Sequence, residues 1–331
     1  MQPLIPFKSP TSGVTLGSAQ NQRIMRDVAF LPDGRKERLD LWLPNPSVFT
    51  GPRPAVVLIH GGGWAKGDKD EPRQRETAGW LASEGYAVLS INYKLTQFSG
   101  DPLKSPPVRT CWPECLHDCR NALRMAQENS RKWNVNPTRV SLLGFSAGAH
   151  LALLTAITSG HPKLDRYHGK FVPSCVLGFY GIYDLDSLGA RWRFGEPAQH
   201  PAKVRLQASP VCHLHPEIPP VFLAHGESDK TVPIQQTLLL ASGLAQFKIP
   251  HEVVLLPRAP HGFRVTSDFG DLRPAVRAFL QAYSQASVHR RVANPASELP
   301  VGHRRASGPN TYDRAERNKK GHRSRPPKRL P

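Results

Sequence analysis

The residues best suited to covalent chemistry form the pattern Gly144-Phe145-Ser146-Ala147-Gly148, in which one serine stands between two glycines. The apolar residues 140–143 predict a buried strand, and residues 149–157 favour a helix. A strand that turns at once into a helix holds Ser146 in a strained, positive-φ conformation, and side chains in place of the glycines would collide there. Ser146 is therefore a candidate nucleophile, although an ordinary turn before a helix is the alternative for the pattern taken alone.

Two later strands are each followed by a side chain that could activate this serine. A serine hydroxyl is inert near neutral pH unless a base accepts its proton. His261 follows the predicted strand 252–256 and could act first as general base and then as general acid. Asp229 follows the predicted strand 221–224 and could orient His261 and stabilise its imidazolium. Asp184 is a second candidate acid and ranks behind Asp229.

A glycine triplet stands at the end of an earlier strand. The chain reads His60-Gly61-Gly62-Gly63-Trp64 after the apolar run 55–59. The N–H groups of Gly62 and Gly63 could join that of Ala147 in an oxyanion hole, where the loss of one donor typically costs about 3–4 kcal/mol of transition-state stabilisation. A flexible turn is the alternative for the triplet alone, but all four segments occur at predicted strand ends.

The elements that must position these residues alternate between strands and helices. A hairpin is predicted first, because residues 26–31 and 37–43 alternate in polarity around Pro32-Asp33-Gly34. The strands that follow are predicted at residues 55–59, 87–91, 140–143, 175–179, 221–224 and 252–256, and the helices at 73–84, 113–129, 149–157, 233–247 and around 272–283. This order predicts an α/β fold with a mostly parallel central sheet flanked by helices, and with functional loops at the strand ends.

Composition divides the 331 residues into three parts. Residues 1–22 are polar and predict a flexible arm, and residues 23–284 predict the catalytic domain, with an irregular insertion at about 185–217. Residues 285–331 lack apolar periodicity and carry 12 Lys and Arg against 3 Asp and Glu, which is half of the net charge of +18. This basic tail is predicted to be disordered. No signal peptide or membrane-length apolar run is visible, so we expect a cytoplasmic protein, or a secreted one if the true start differs.

The five cysteines do not suggest a disulfide framework, because they are odd in number and unevenly spaced. Cys115 and Cys119 fall on the apolar face of a predicted helix, where a thiol behaves as a small hydrophobe. His213 and His215 lack a matching set of ligands. We therefore predict no metal site.

Taken together, His60-Gly-Gly-Gly-Trp64, Gly144-Phe-Ser-Ala-Gly148, His225-Gly-Glu-Ser-Asp229 and Pro260-His-Gly-Phe263 resemble the HGGG-type carboxylesterases and lipases of the α/β-hydrolase fold. The resemblance covers roughly residues 26–284 and is nearest to the subgroup of acetylxylan and feruloyl esterases and to relatives of hormone-sensitive lipase. It implies ester hydrolysis through an acyl-enzyme without a cofactor, with Ser146 as nucleophile, Asp229 as acid and His261 as base. It also implies oxyanion donors at Gly62, Gly63 and Ala147. Phe145 departs from the Asp that many lipase-like relatives carry there, which favours the polysaccharide-esterase group.

The expected substrate is a small-molecule or carbohydrate ester, with Trp64, Phe145 and Trp192 as candidate pocket residues. An amidase, a formamidase or an acyltransferase working at the same site is an alternative. A protein that binds nucleic acid or an anionic surface through its basic tail is a second alternative. It is the weaker one, since the tail has Tyr312 as its one aromatic residue and the chain shows no folded nucleic-acid motif. Nothing in the sequence favours one oligomeric state.

Overall fold

The computed structural model describes residues 22–101, 105, 107–188 and 201–285. The predicted arm up to residue 21, the tail from residue 286 and Trp192 lie outside these ranges, and the predicted domain limits stay predictions. Within the described part of the chain, no helix has both the length and the apolar character needed to cross a membrane.

Strands and helices alternate through the described ranges. The strands are β1 (Arg23–Val28), β2 (Leu39–Leu43), β3 (Arg53–Ile59), β4 (Ala87–Ile91), β5 (Gln97–Phe98), β6 (Pro107–Arg109), β7 (Val135–Phe145), β8 (Val176–Phe179), β9 (Val221–Gly226), β10 (His251–Leu256), β11 (Thr266–Ser267) and β12 (Gly270–Asp271). The helices are α1 (Pro72–Ser83), α2 (Glu114–Glu128), α3 (Ser130–Trp133), α4 (Ala147–Ile157), α5 (Pro201–Ala208), α6 (Gln235–Gln246) and α7 (Arg273–Gln285).

The described residues form one large, mostly parallel sheet, as predicted. Its eight strands lie in the order β1-β2-β4-β3-β7-β8-β9-β10. The pairs β1–β2 and β2–β4 are antiparallel, and every pair from β4 to β10 is parallel. The predicted N-terminal antiparallel hairpin is therefore confirmed at one edge of the sheet.

The chain changes direction across the sheet at β3. From β3 it runs to β4 on one side and later returns to β7 on the other, so β3 and β7 are neighbours that lead to different helices. In open α/β sheets, ligands bind in the crevice at the carboxyl ends of two such strands. Ile59 pairs with Gly144 at this end, which brings the glycine triplet next to the serine turn.

Strand β3 shows how the alternation of side chains builds a core on both faces of the sheet. Ala55, Val57 and Ile59 lie in a cluster with residues of α2, α4 and α6. Val56 and Leu58 point the other way and pack with residues of α1 and α7. Because both faces are covered, β3 is a nearly continuous apolar run, as is typical of a parallel sheet.

The first strand lies three residues earlier than the predicted 26–31. Asp27 has a positive φ of 52° and its N–H donates to Asp40 Oδ1 at 3.0 Å, so the pairing becomes irregular between Met25 and Val28. The chain leaves the sheet after Val28, and Phe30 packs into the core instead.

The predicted irregular insertion contains a helix that its sequence pattern did not indicate. Helix α5 presents Val204 and Ala208 to the core, while Leu206 is exposed. Two buried positions four residues apart are too few to produce a recognisable amphipathic period. The helix leads into a 3-10 turn at Pro210–His213.

Cys115 and Cys119 are fully buried in the core on the inner face of α2. Burial raises the pKa of both thiols well above its usual value, which keeps them protonated. Across the residues that the structure describes, no group of three or more His, Cys, Asp or Glu side chains is arranged to hold a metal ion.

Candidate active site

Ser146 occupies the sharp turn between β7 and α4. Its φ of 53° and ψ of −119° place it in a region that side chains rarely adopt, and its N–H is fixed by Phe179 O at 2.9 Å. The flanking glycines are sterically required, because a Cβ on Gly144 would lie 2.1 Å from Gly148 O and one on Gly148 would lie 2.2 Å from Ile59 O. Such strain persists only where surrounding structure enforces it, and here it presents the hydroxyl at the end of the strand.

His261 connects Ser146 to Asp229 in one chain of hydrogen bonds. Its Nε2 lies 3.0 Å from Ser146 Oγ, and its Nδ1 lies 2.7 Å from Asp229 Oδ2. These three side chains come from positions up to 115 residues apart. The structure thus brings together the three residues that the sequence predicted as nucleophile, base and acid.

Asp229 is held as a carboxylate. Its side chain has no exposed surface, and its Oδ1 accepts N–H groups from Thr231 at 2.8 Å and Val232 at 2.9 Å. Burial by itself would raise the pKa of Asp229, but hydrogen bonds from His225 and His261 outweigh it and hold that pKa well below its usual range. The negative charge needed beside an imidazolium is therefore present across the neutral pH range.

His225 is a buried partner of Asp229 to which the sequence analysis gave no role. Its Nε2 lies 3.3 Å from Asp229 Oδ2 and 3.0 Å from Val232 O, and its Nδ1 lies 2.7 Å from Thr237 Oγ1. Two acceptors face Nε2, so this nitrogen carries a proton. His225 stands four residues before Asp229 at the end of β9, and this spacing was the available signal.

The glycine triplet folds over the serine turn. A Cβ on Gly61 would lie 3.0 Å from Phe145 O and 3.3 Å from Ser146 Cβ, so the loop and the turn are in direct contact. Gly62 and Gly63 both have positive φ, and a Cβ on Gly62 would lie 2.0 Å from Lys66 O. The backbone of this loop therefore favours glycine. Gly61 contacts the serine turn and is followed directly by Gly62 and Gly63, while Ala147 follows Ser146 as the first residue of α4.

His60 contacts the glycine loop and the ring of Tyr93. Its ring stacks on Tyr93 at 4.4 Å between ring centres, and its Nδ1–H donates to Gly61 O at 2.7 Å. Burial lowers the pKa of His60 to about 4, so the imidazole is neutral. His60 therefore holds the loop through a stacking contact and a hydrogen bond.

A second neutral imidazole ties the loop to the insertion. Trp64 Nε1–H donates to His150 Nδ1 at 3.1 Å, and His150 Nε2–H donates to Ala208 O at 2.6 Å. Burial lowers the pKa of His150 to about 4. Helix α5 is thereby anchored through α4 to the residue that follows the glycine triplet.

Arg73 and Tyr180 hold the loop that carries His261 through hydrogen bonds to its backbone. Arg73 donates to Gly262 O at 2.8 Å and its guanidinium lies 5.6 Å from the centre of the Phe145 ring. Tyr180 donates to Phe263 O at 3.0 Å, and its ring meets the His261 ring edge to face at 4.8 Å. Neither Arg73 nor Tyr180 carried a sequence signal, because their role depends on contacts between distant segments.

The structure also places the remaining candidates Asp184, Trp64 and Phe145. Asp184 Oδ1 accepts the N–H groups of Asp186 and Ser187 in its own turn and makes no described bond to His261. Trp64 is 1% exposed and Phe145 is 0% exposed. This burial corrects the expectation that the two rings line a substrate pocket, because they offer a ligand no surface. Trp192 lies outside the described residues.

The fold and the chain order of Ser146, Asp229 and His261 identify the class of protein. A mostly parallel sheet that carries serine, aspartate and histidine in this chain order, here after β7, β9 and β10, is an α/β-hydrolase. The model of the BD-FAE family matches residues 39–244, which is more than half of the chain. The chain belongs to this family.

Two curated relatives from Mycobacterium tuberculosis are similar over most of the chain. The probable carboxylic ester hydrolase LipM is 29% identical over 280 residues, covering 78% of this chain and 62% of LipM. The esterase LipQ is 28% identical over 270 residues, covering 77% of this chain and 59% of LipQ. This chain therefore spans about three fifths of the length of these two relatives.

A solved structure shares the fold. The truncated form of a carbohydrate esterase from gut microbiota superposes with a TM-score of 0.64 at 20% identity, covering 84% of this chain and all of that one. At this level of identity, the likeness concerns the fold.

Proposed function

We propose that the protein is a serine carboxylic-ester hydrolase that acts through Ser146, His261 and Asp229. The observation that carries this proposal is the position of the His261 imidazole, 3.0 Å from Ser146 Oγ and 2.7 Å from Asp229 Oδ2. A carboxylate only accepts, so Nδ1 carries the proton and Nε2 has a free lone pair for the serine hydroxyl. The similarity to LipM, a probable carboxylic ester hydrolase, and to LipQ, an esterase, supports the same activity.

In the first half of the reaction, Ser146 Oγ attacks the acyl carbonyl carbon while His261 Nε2 takes the hydroxyl proton. The carbonyl oxygen becomes an oxyanion, which the N–H groups of Gly62, Gly63 and Ala147 stabilise together with the positive end of α4. The bond to the leaving alcohol then breaks, and His261 Nε2 gives its proton to the alcohol oxygen. Asp229 stabilises the imidazolium that exists between these transfers.

In the second half, water hydrolyses the acyl-serine ester. His261 Nε2 removes a proton from the water as its oxygen attacks the acyl carbon, and the same donors hold the second oxyanion. Collapse of this intermediate breaks the bond to Ser146 Oγ, which recovers its proton from His261. The products are a carboxylic acid and free enzyme, and no cofactor takes part.

Short-chain or carbohydrate-linked acyl esters are the substrates we propose. The resemblance of the motifs to the acetylxylan and feruloyl esterases, with Phe145 before Ser146, supports an acyl group carried on a sugar. We infer that residues 23–284 form the catalytic domain and that the segment from about 185 to 217 selects the substrate, since its described part joins the site through His150 and Ala208.

The direct test is hydrolysis of p-nitrophenyl acetate by Ser146→Ala. Activity should fall by more than about 10³-fold while the thermal melt is retained, because the nucleophile is lost. Ser83→Ala is the matched control, since Ser83 is an exposed serine that bonds to Trp80 O and should keep full activity. Diethyl p-nitrophenyl phosphate should add one diethylphosphoryl group to the wild type and to Ser83→Ala but not to Ser146→Ala. Full activity in Ser146→Ala would overturn the proposal.

The type of bond that is cleaved and the preferred alcohol group of the ester are tested on the same enzyme preparation. Acetylated xylo-oligosaccharide, p-nitrophenyl acetate, p-nitrophenyl butyrate and a formyl amide should be ranked by kcat/KM. We expect acetyl esters to exceed the amide by at least about 10²-fold. An amide turned over faster than every ester would replace the esterase proposal with the amidase alternative.

A further inference from the structure

A polar cavity lies near the amino ends of the parallel strands, whereas Ser146 lies at their carboxyl ends. It has a volume of about 400 Å³ and is bordered by the amino ends of β3, β4 and β7, by the loop of residues 48–52 and by α7. This size is within the range of small-molecule sites. Its charged lining residues are Arg53, Arg139, Arg277 and Glu84, so the formal charge of the lining is positive.

Arg53 is the most unusual of these residues. It is 7% exposed, and in the described ranges it forms no ion pair with a carboxylate. Its Nη1 and Nη2 donate to Pro44 O at 3.3 Å and to Phe49 O at 3.2 Å, and its buried Nε has no partner there. Burying a cation without a counter-charge costs free energy. The described residues around Arg53 provide no carboxylate to offset this cost.

The other two guanidiniums add to this charge. Arg139 donates from Nε to Ser284 O at 2.6 Å and has no carboxylate partner among the described residues. Arg277 is paired with Glu84 through two bonds, at 2.5 and 2.8 Å. The cavity therefore contains two guanidiniums without an acid and one that is neutralised.

We propose that this cavity is a binding site for a phosphorylated small molecule, whose phosphoryl group lies between Arg53 and Arg139. Guanidinium groups bind phosphoryl oxygens through directed, charge-assisted hydrogen bonds, and a dianion matches the two uncompensated cations. The cavity has room for the rest of such a molecule beside the anion. Because the site is separated from Ser146 by the length of the sheet, it is independent of the proposed hydrolysis.

The test measures binding of inorganic phosphate to the full-length protein by isothermal titration calorimetry at fixed ionic strength. Arg139→Gln should weaken binding about 5–10-fold, since it removes one charged donor. Glu84→Gln should tighten it about 3–10-fold, because it removes the negative charge and frees Arg277. Opposite signs for these two variants are not expected from a general loss of structure.

Arg264→Gln is the matched control, because Arg264 is an exposed arginine paired with Glu76 outside the cavity, and its loss should leave the affinity unchanged. Acetate at the same ionic strength should bind at least about 10-fold more weakly than phosphate, as it carries a single charge. The proposal is overturned if phosphate does not saturate, if Arg139→Gln and Arg264→Gln weaken binding equally, if Glu84→Gln weakens it, or if acetate binds as well as phosphate.

Discussion

Replacement of Asp229 by asparagine tests the hydrogen-bonded chain at its most constrained point. Oδ1 of Asp229 accepts two backbone N–H groups, and Oδ2 accepts from His261 and from the Nε2–H of His225. Because the backbone groups can only donate, the amide oxygen of Asn must replace Oδ1, and the amide NH₂ must replace Oδ2. The NH₂ group also only donates, so His261 Nδ1 must lose its proton and become the acceptor.

This exchange inverts the tautomer of His261. Nε2 then carries the proton and points it at Ser146 Oγ, so it cannot accept the serine proton. The corresponding change in a serine protease triad lowers kcat by about 10⁴-fold, which is about 5.5 kcal/mol of activation free energy. The Asp229 side chain has no exposed surface, so water does not repair the mismatch, and we expect a fall of about 10³–10⁴-fold here.

The assay is steady-state hydrolysis of p-nitrophenyl acetate by Asp229→Asn and Asp184→Asn. The loss should be in kcat, with KM changed much less, because the affected interaction acts on the transferred proton. Asp184 caps its own turn, so Asp184→Asn should stay within about threefold of the wild type. A kcat for Asp229→Asn within tenfold of the wild type, or a larger loss in Asp184→Asn, would refute the reasoning.

Three further predictions concern the surroundings of the site. Gly148→Ala should lower the free energy of unfolding in urea by about 2–3 kcal/mol, because its Cβ would lie 2.2 Å from the last carbonyl of β3; Gly79→Ala meets only an ordinary 3.7 Å contact and should be neutral or stabilising by up to about 1 kcal/mol. Equal losses in the two variants would contradict the steric argument. His60 and His150 stay neutral down to about pH 4, whereas their unfolded forms take up protons below about pH 6.5. These two histidines should together lower the free energy of unfolding between pH 6.5 and pH 4, by up to about 2.7 kcal/mol per pH unit, and urea titrations at pH 7 and pH 5 that give equal stabilities would contradict this expectation. His225→Leu should lower kcat for p-nitrophenyl acetate about tenfold with little change in KM, because Asp229 loses one donor; an unchanged kcat would show that this bond does not position the carboxylate.

The parts of the molecule that could be predicted from the sequence are those set by local sterics and by strand order. Gly144 and Gly148 are required by clashes within a few residues of the serine, and such a requirement is visible in a short pattern. The continuous apolar runs predicted the parallel strands, since a strand covered on both faces needs no polar residues. The meeting of Ser146 with His261 followed from their positions at the carboxyl ends of strands in one sheet.

The parts that could not be predicted depend on contacts between distant segments. The bond between Trp64 and His150 joins residues 86 positions apart, so no periodic pattern in the sequence predicts it. Arg73 reaches the His261 loop from the start of α1, across 189 positions. The end of β1 was misplaced because the positive φ of Asp27 is fixed by a bond to Asp40 on the next strand.

The pairing of Ile59 with Gly144 has a consequence for how such an enzyme could diversify. The glycine loop and the serine turn are extensions of two neighbouring strands, so the backbone hydrogen bonds of the sheet set their relative position, and the segment after β8 joins them through the bonds of His150 to Trp64 and Ala208 O. If residues 185–217 select the substrate as proposed, changes there that keep the bond from His150 to Ala208 O can alter the selection without displacing Ser146. Under the proposed function, exchange of that segment between relatives is a route to new specificities with Ser146, His261 and Asp229 unchanged.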